Sequence, residues 1–363
     1  MNIFLDDITS LALIRAVARD SNGLAVVQSS VTTPQPLGLR TAKLDRLGMP
    51  ELLGYLRIPE LQPLGIVIPA PKNRIRAKDF RCTVCSSPRG SAPFLQLVAT
   101  DAQSSGLVPS TTQVNVMSPA NIVLQTAGRL RANERSGKIT HNQAVLTLFK
   151  LCLELCGTYS HHPFEPLNGA ATYHVEPRLD AKTLRTMLET PGRERGLTLA
   201  REAAQLAYNN SGSPQETFLG PALFFPTHLG GMHLCDFEAN VSLNLSKRER
   251  ASIGYRHITP DFTLAQYRTV VEYLGKVHFE GDNPKIDHQR SLDYQTLGFR
   301  EFNFWYDDVR TRARFMQSAA RVVAAIAAYE GPKAQQRYLK LAKNKDFIKR
   351  QRMLFEVFCP WLQ

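Results

Sequence analysis

No stretch of this 363-residue chain stays apolar for long enough to cross a bilayer. The longest apolar pieces, VLTLFKLCLELC and RVVAAIAAYEG, fall short of the roughly 20 residues that a spanning helix needs, and Lys150 and Glu154 break the first. The opening MNIFLDDITS lacks the basic-then-apolar build of a secretion signal, so a cytoplasmic location is expected and a membrane partner is not. A disulfide framework is missing too, since six cysteines are few for this length. Cys82 and Cys85 in RCTVCSS have zinc-knuckle spacing, but a structural zinc requires two further ligands. They are read instead as small buried thiols on a strand, and Cys152 and Cys156 as part of a buried helix face. Internal repeats and long low-complexity runs are absent.

The chain is also short of acid. Against 44 lysines and arginines stand 32 aspartates and glutamates, a net charge of +12. Phosphate-bearing partners are attracted to such a chain, and the attraction should weaken steeply with salt. Part of the excess is local. From Gly331 onward Lys333, Arg337, Lys340, Lys343, Lys345, Lys349, Arg350 and Arg352 face only Asp346 and Glu356. This tail reads as a basic helix, either merely solvated or holding nucleic acid. The 43% hydrophobic content is ordinary for a folded chain.

The residue pattern predicts an α/β (α+β) fold in four stretches. Residues 1–60 read as a helical segment, with DDITSLALIRAVARD and AKLDRLGMPELLGYL as helices, open to a winged-helix-like reader role. Residues 61–208 read as a mixed region: strands in LGIVIPA, FRCTVCSS, FLQLVAT and TQVNVMS, then helices over 118–157 and 180–208. NNSGSP at 209–214 is the clearest break. Residues 209–330 then run helix, three strands, helix, strand, helix, which implies a mixed sheet flanked by helices. Residues 331–363 read as a basic C-terminal helix.

The third stretch carries the chemistry. In TPDFTLAQYRTVVEYLGKVHFEGDN two apolar runs each hold one carboxylate, Asp261 and Glu272. With the turn centred on Gln266 and Tyr267, a two-residue loop pairs Ala265 with Arg268 and a four-residue loop pairs Leu264 with Thr269. Either register sets Asp261 opposite Glu272 on one face, where like charges destabilise a strand pair unless something compensates them. Mg²⁺ or Mn²⁺ would do so, and metal-bound water is a nucleophile suited to a phosphodiester. A slip of one residue sends the acids to opposite faces, and Asp261 is then a turn residue and Glu272 an edge charge.

SPQET, PDF, VVEYLGKVHF and DHQRSLDYQTLGF, with the element order around them, resemble the very-short-patch-repair-like endonuclease domain of the PD-(D/E)XK superfamily. Bacterial proteins, actinobacterial ones among them, carry this domain behind an N-terminal region that in some is similar to abortive-infection antitoxins. VMSPANIVLQTAG and CLELCGTY resemble the connecting part of such chains. The resemblance implies a restriction-endonuclease-like sheet, DNA as partner, and in some settings a toxin or defence partner protein. It makes Asp261 and Glu272 the metal-binding acids and Glu216 the helix acid that holds a metal-bound water. Its motif lysine, two residues past the second acid, is here Leu274. Lys276 and His278 are the candidates to orient the water or hold the phosphate, with a structural histidine and a phosphate-binding lysine as the open alternatives. Asp287 and Arg290, one helical turn apart, read as a surface pair. Lys247, Arg248 and Arg250 in SKRER, with Lys276, Lys340, Lys343, Lys349 and Arg350, are expected to hold DNA backbone. Two readings follow: a Mg²⁺-dependent DNA endonuclease, in phage defence or DNA processing, or a DNA-binding regulator or antitoxin-like protein that keeps the fold without the chemistry. Neither calls for a small-molecule cofactor.

Overall fold

The structure is a computed structural model. It describes residues 2–19, 23–35, 47–59, 61, 63–75, 77–85, 88–101, 104–108, 112–163, 171–275 and 283–359. The fold is mixed α/β, in two compact units. One comprises residues 1–155 and 159–207, the other residues 156–158 and 208–363. Among the described residues no helix is long and apolar enough to cross a membrane.

The first unit runs β1 (Asn2–Phe4), α1 (Asp7–Arg19), β2 (Leu24–Gln28), α2 (Met49–Tyr55), β3 (Leu64–Ile68), β4 (Phe80–Val84), β5 (Phe94–Ala99), β6 (Gln113–Met117), α3 (Pro119–Arg135), α4 (His141–Cys156), β7 (Tyr159–His161), β8 (Ala171–Tyr173), α5 (Ala181–Glu189) and α6 (Leu197–Leu206). One sheet has the order β1-β6-β5-β2, and β3 pairs with β4 in parallel. The boundary expected near residue 60 is therefore corrected. β1 and β2 pair with β6 and β5, so the first 60 residues are not a separate helical reader but supply two strands to a sheet completed by residues 94–117. Cys82 and Cys85 are half-buried rather than buried, while Cys152 and Cys156 are buried as expected.

The second unit runs α7 (Pro214–Phe224), β9 (Glu238–Ala239), α8 (Lys247–Ser252), β10 (Phe262–Leu264), β11 (Thr269–Leu274), α9 (Asn283–Thr296), β12 (Arg300–Trp305), α10 (Arg312–Glu330), α11 (Pro332–Lys343) and α12 (Lys345–Phe358). Its sheet has the order β12-β11-β10-β9, with β9, β10 and β11 antiparallel and β12 joined to β11 in parallel through the α9 crossover. All six residues of β11, TVVEYL, are buried, as a strand covered on both faces requires. On one face Val270 packs with Tyr294 of α9 and with Leu297 just past its end. On the other Phe262 meets Phe224 and Phe237, and Phe304 meets Phe315 of α10. Two expectations change. SKRER is not a turn but the start of the short helix α8, closed by a reciprocal capping box between Ser246 and Glu249. The basic tail is two helices, broken at Asn344, which caps α12 through its side chain.

Candidate active site

β10 pairs Phe262 with Val271 and Leu264 with Thr269, the four-residue-loop register. The loop closes through a 3₁₀ turn at Ala265–Tyr267, with Arg268 in the left-handed region at φ 42°. One step beyond Phe262, Asp261 stands against Glu272. The Asp261 amide donates to Glu272 Oε2 at 3.3 Å, and Asp261 Oδ2 accepts from the Tyr273 amide at 2.7 Å.

Glu272 is almost wholly buried, 2% exposed, on the face that α9 covers. α9 supplies its partners. Tyr294 donates its hydroxyl to Glu272 Oε1, and Arg290 brings its guanidinium to 2.9 Å from the same oxygen. Arg290 also donates to Tyr294 Oη and to the Thr259 carbonyl, so one side chain ties helix, loop and strand together. α9 itself is pinned by the Arg256–Asp293 pair, with contacts of 2.8 and 2.6 Å. Glu216 enters from the first turn of α7. Ser213 caps the Glu216 amide at 3.1 Å, and the Glu216 carboxylate accepts from the Gly212 amide at 2.7 Å. Asn240, at φ 52°, donates its amide to the Asp261 carbonyl.

The three carboxyls share an electrostatic burden. Burial raises the pKa of Asp261 well above the usual aspartate range, and the charge of Glu216 adds to it. Burial likewise raises Glu272, with the charge of Asp261 behind it, against the pull of Arg290. Glu216 is pushed up to about 7, by burial first and in part by Glu272, although hydrogen bonds from Gly212 and Ser213 oppose the shift. Burial opposes a charge on Arg290, but Glu272 overrides it and holds the guanidinium firmly protonated. Among the described residues Arg290 thus offsets Glu272 and Asp261, and Glu216 adds a third buried carboxyl beside them. Nearby, the buried amide oxygen Asn303 Oδ1 finds no hydrogen-bond partner among the described residues, while the Asn240 side chain lies close enough to Glu216 to help hold its pKa down. Asn303 is the β12 residue in register with Glu272.

Among the described residues, no group of three or more His, Cys, Asp or Glu side chains is close enough to enclose a metal ion. The donors offered are a facing pair. That fits Mg²⁺, which keeps several waters and is commonly held by one or two carboxylates, better than a fully caged ion such as Ca²⁺.

Of the residues expected from sequence, Asp261, Glu272 and Glu216 lie within electrostatic reach of one another, and Lys276 and His278 lie outside the described residues. Leu274, at the lysine position of the motif, is buried. Lys247, Arg248, Lys340, Lys343 and Lys349 are exposed. Arg250 donates to the Leu245 carbonyl and Arg350 to the Thr227 carbonyl at 2.9 Å, so both help hold local structure. Arg290 is more than the surface residue expected: it is half-buried, with its guanidinium on Glu272. Its signal was its spacing from Tyr294, four residues apart on the crossover helix, one turn ahead of the apolar Leu297. Comparison with known proteins finds no matching family model, curated protein or solved structure.

Proposed function

We propose that the second unit is a metal-dependent DNA endonuclease with a restriction-endonuclease-like PD-(D/E)XK sheet, hydrolysing phosphodiester bonds in phage defence or DNA processing. The observation that carries this reading is the pair of buried carboxyls, Asp261 and Glu272, faced across the hairpin, both with raised pKa values and with Arg290 paired to Glu272. A protein that only bound phosphate would gain nothing from burying paired acids.

In this reading Asp261 and Glu272 would hold Mg²⁺ or Mn²⁺, which when bound supplies Lewis acidity and offsets charge on the scissile phosphate. Glu216, pushed up to about 7, is suited to accept a proton from the attacking water, since a base works best when its pKa lies near the operating pH. Arg290 fixes the Glu272 carboxylate and Tyr294 holds its orientation. Lys276 and His278 remain assigned to water or phosphate. The test is supercoiled plasmid incubated with Mg²⁺ or Mn²⁺, alongside Asp261→Ala and Glu272→Ala. Nicking or linearisation lost in both variants supports the reading, and cleavage that survives both removes the site from the chemistry.

Two observations favour a second reading, a DNA-binding regulator or antitoxin-like protein. Arg290 and Tyr294 already engage Glu272, and Leu274 replaces the motif lysine. Such a protein would leave plasmid intact and would keep or gain DNA affinity when the two acids are removed.

A further inference from the structure

The first unit holds a cleft of about 620 Å³ where the start of α6 meets the end of α3 and the start of α4, lined by Arg131, Arg135, His141, Arg193, Arg195 and Thr198. Its charge is one-sided. Glu194 also borders the cleft, but its carboxylate is taken by Arg89 in two hydrogen bonds of 2.8 and 2.7 Å. Arg131 pairs with Glu134, and His141 with Glu134 and Glu202. The side chains of Arg135, Arg193 and Arg195 make no hydrogen bond or ion pair among the described residues, and all three are exposed.

The cleft is preformed rather than a chance meeting of loose side chains. Buried Arg89 also donates to the Thr190 and Met187 carbonyls, and Asn121 brackets the Arg89 backbone from both sides. These bonds hold residues 190–196 so that Glu194 points inward and Arg193 and Arg195 outward. Gly196, at φ 89°, lets that segment lie on α3, because a Cβ there would stand 2.4 Å from the Ala127 carbonyl carbon and the Gly128 nitrogen.

We propose that this cleft contacts the phosphate backbone of duplex DNA. Unpaired guanidiniums on a rigid support suit phosphate oxygens, which arginine binds in bidentate fashion. The lining contains no Phe, Tyr or Trp, and its one ring, His141, is tied to Glu134 and Glu202, so it offers no open platform for stacking an unpaired base, as single-strand binders do. The contact is therefore to backbone and independent of sequence. The proposal shares with the endonuclease reading only the choice of DNA as partner, and it lies on residues that the basic-tail expectation did not include.

The experiment is fluorescence anisotropy of the full chain with a labelled duplex, from about 50 to 200 mM salt, the range over which backbone contacts dominate the response. Each phosphate contact contributes about 0.9 to the slope of log affinity against log salt, so Arg135→Ala/Arg193→Ala/Arg195→Ala should flatten it by about 2.7. Across that fourfold rise the parent chain should then lose about 40-fold more affinity than the variant. The matching triple Arg→Lys variant should restore the slope, and unchanged melting temperatures should show all forms folded. Should the triple alanine form melt early, Arg193→Glu alone, at an exposed position, should still flatten the slope. An unchanged slope overturns the proposal. So does a slope removed by Lys340→Ala/Lys343→Ala/Lys349→Ala instead, or tighter binding of single-stranded RNA than of duplex. Cleavage plays no part in the readout: Asp261→Ala/Glu272→Ala should keep the parent slope, so a failed hydrolytic site and a failed cleft are told apart.

Discussion

Arg290, on a crossover helix, holds its guanidinium 2.9 Å from Glu272 in the central strand of the sheet, 18 residues before it in the chain. The contact makes the acid pair tolerable in the folded protein, and it links helix packing to the state of the site. Replacing Arg290 by alanine leaves Glu272 buried beside Asp261 without its cation. Breaking a fully buried ion pair costs about 3–5 kcal/mol, and with a third of the Arg290 side chain still in solvent the loss here should be nearer 2–3 kcal/mol. Thermal melting measures it. Adding Mg²⁺ should raise the melting temperature of Arg290→Ala more than that of the parent, because the ion takes over the compensation. Equal shifts would argue against an ion at this pair.

Tyr294→Phe removes the hydroxyl that Glu272 Oε1 accepts and leaves the ring in place against Val270 and Leu297. The expected cost is about 1–3 kcal/mol, the penalty of leaving a buried acceptor short of a donor. Equilibrium denaturation should show a lower midpoint with an unchanged slope. A change in slope would mean that the ring had moved as well.

Glu216 and His161 should give their units pH dependences of opposite sign. In the second unit Glu216 is raised from 4.5 to about 7. The folded state then holds a proton that the unfolded chain releases, so stability is fully present below about 4.5 and falls as pH climbs through 7. In the first unit burial lowers His161 from 6.5 to about 4. The unfolded chain there holds the extra proton, so stability is full above 6.5 and falls as pH drops through 4. Each effect is of the order of 3 kcal/mol. Calorimetry from pH 4.5 to 8 should show one transition falling and the other rising. Glu216→Gln should lessen the fall of the first, to which Asp261 and Glu272 also contribute, and leave the second unchanged.

Gly65→Ala should destabilise the first unit. A Cβ at this β3 position would stand 2.1–2.3 Å from the Asp6 carboxylate. That carboxylate caps α1 through the Thr9 amide and accepts from Arg81. Displacing it strains the strand and frees both partners, at about 1–3 kcal/mol, the usual cost of overpacking a filled site. A melting temperature within experimental error of the parent would show that Asp6 can step aside without loss.

Much of the second unit was legible before any coordinates. Ser213, Pro214 and Glu216 mark the start of α7, and the two apolar runs around AQYR allow two loops that each set Asp261 opposite Glu272, with the one-residue slip left for the structure to exclude. Such signals are local. Caps and strand alternation act over a few residues, and a hairpin of fixed loop parity leaves its arms little choice. The first unit was less legible. NIF and LAVVQ are too short to declare themselves as strands, and they become strands only because β6 and β5 lie alongside.

What the chain alone determined, then, is the charge balance and most of the order of elements around the two acids, each written in neighbouring residues, whereas the facing of the acids awaited the strand register. Only the tertiary structure decided what meets those acids. Arg290 and Tyr294 reach Glu272 across the crossover, Glu216 reaches them from another helix, and three unpaired arginines come to line one cleft from segments about 60 residues apart. The reason is physical. A side chain's partners across a fold are set by the burial of the whole apolar surface, to which every element contributes and which no short stretch of sequence encodes.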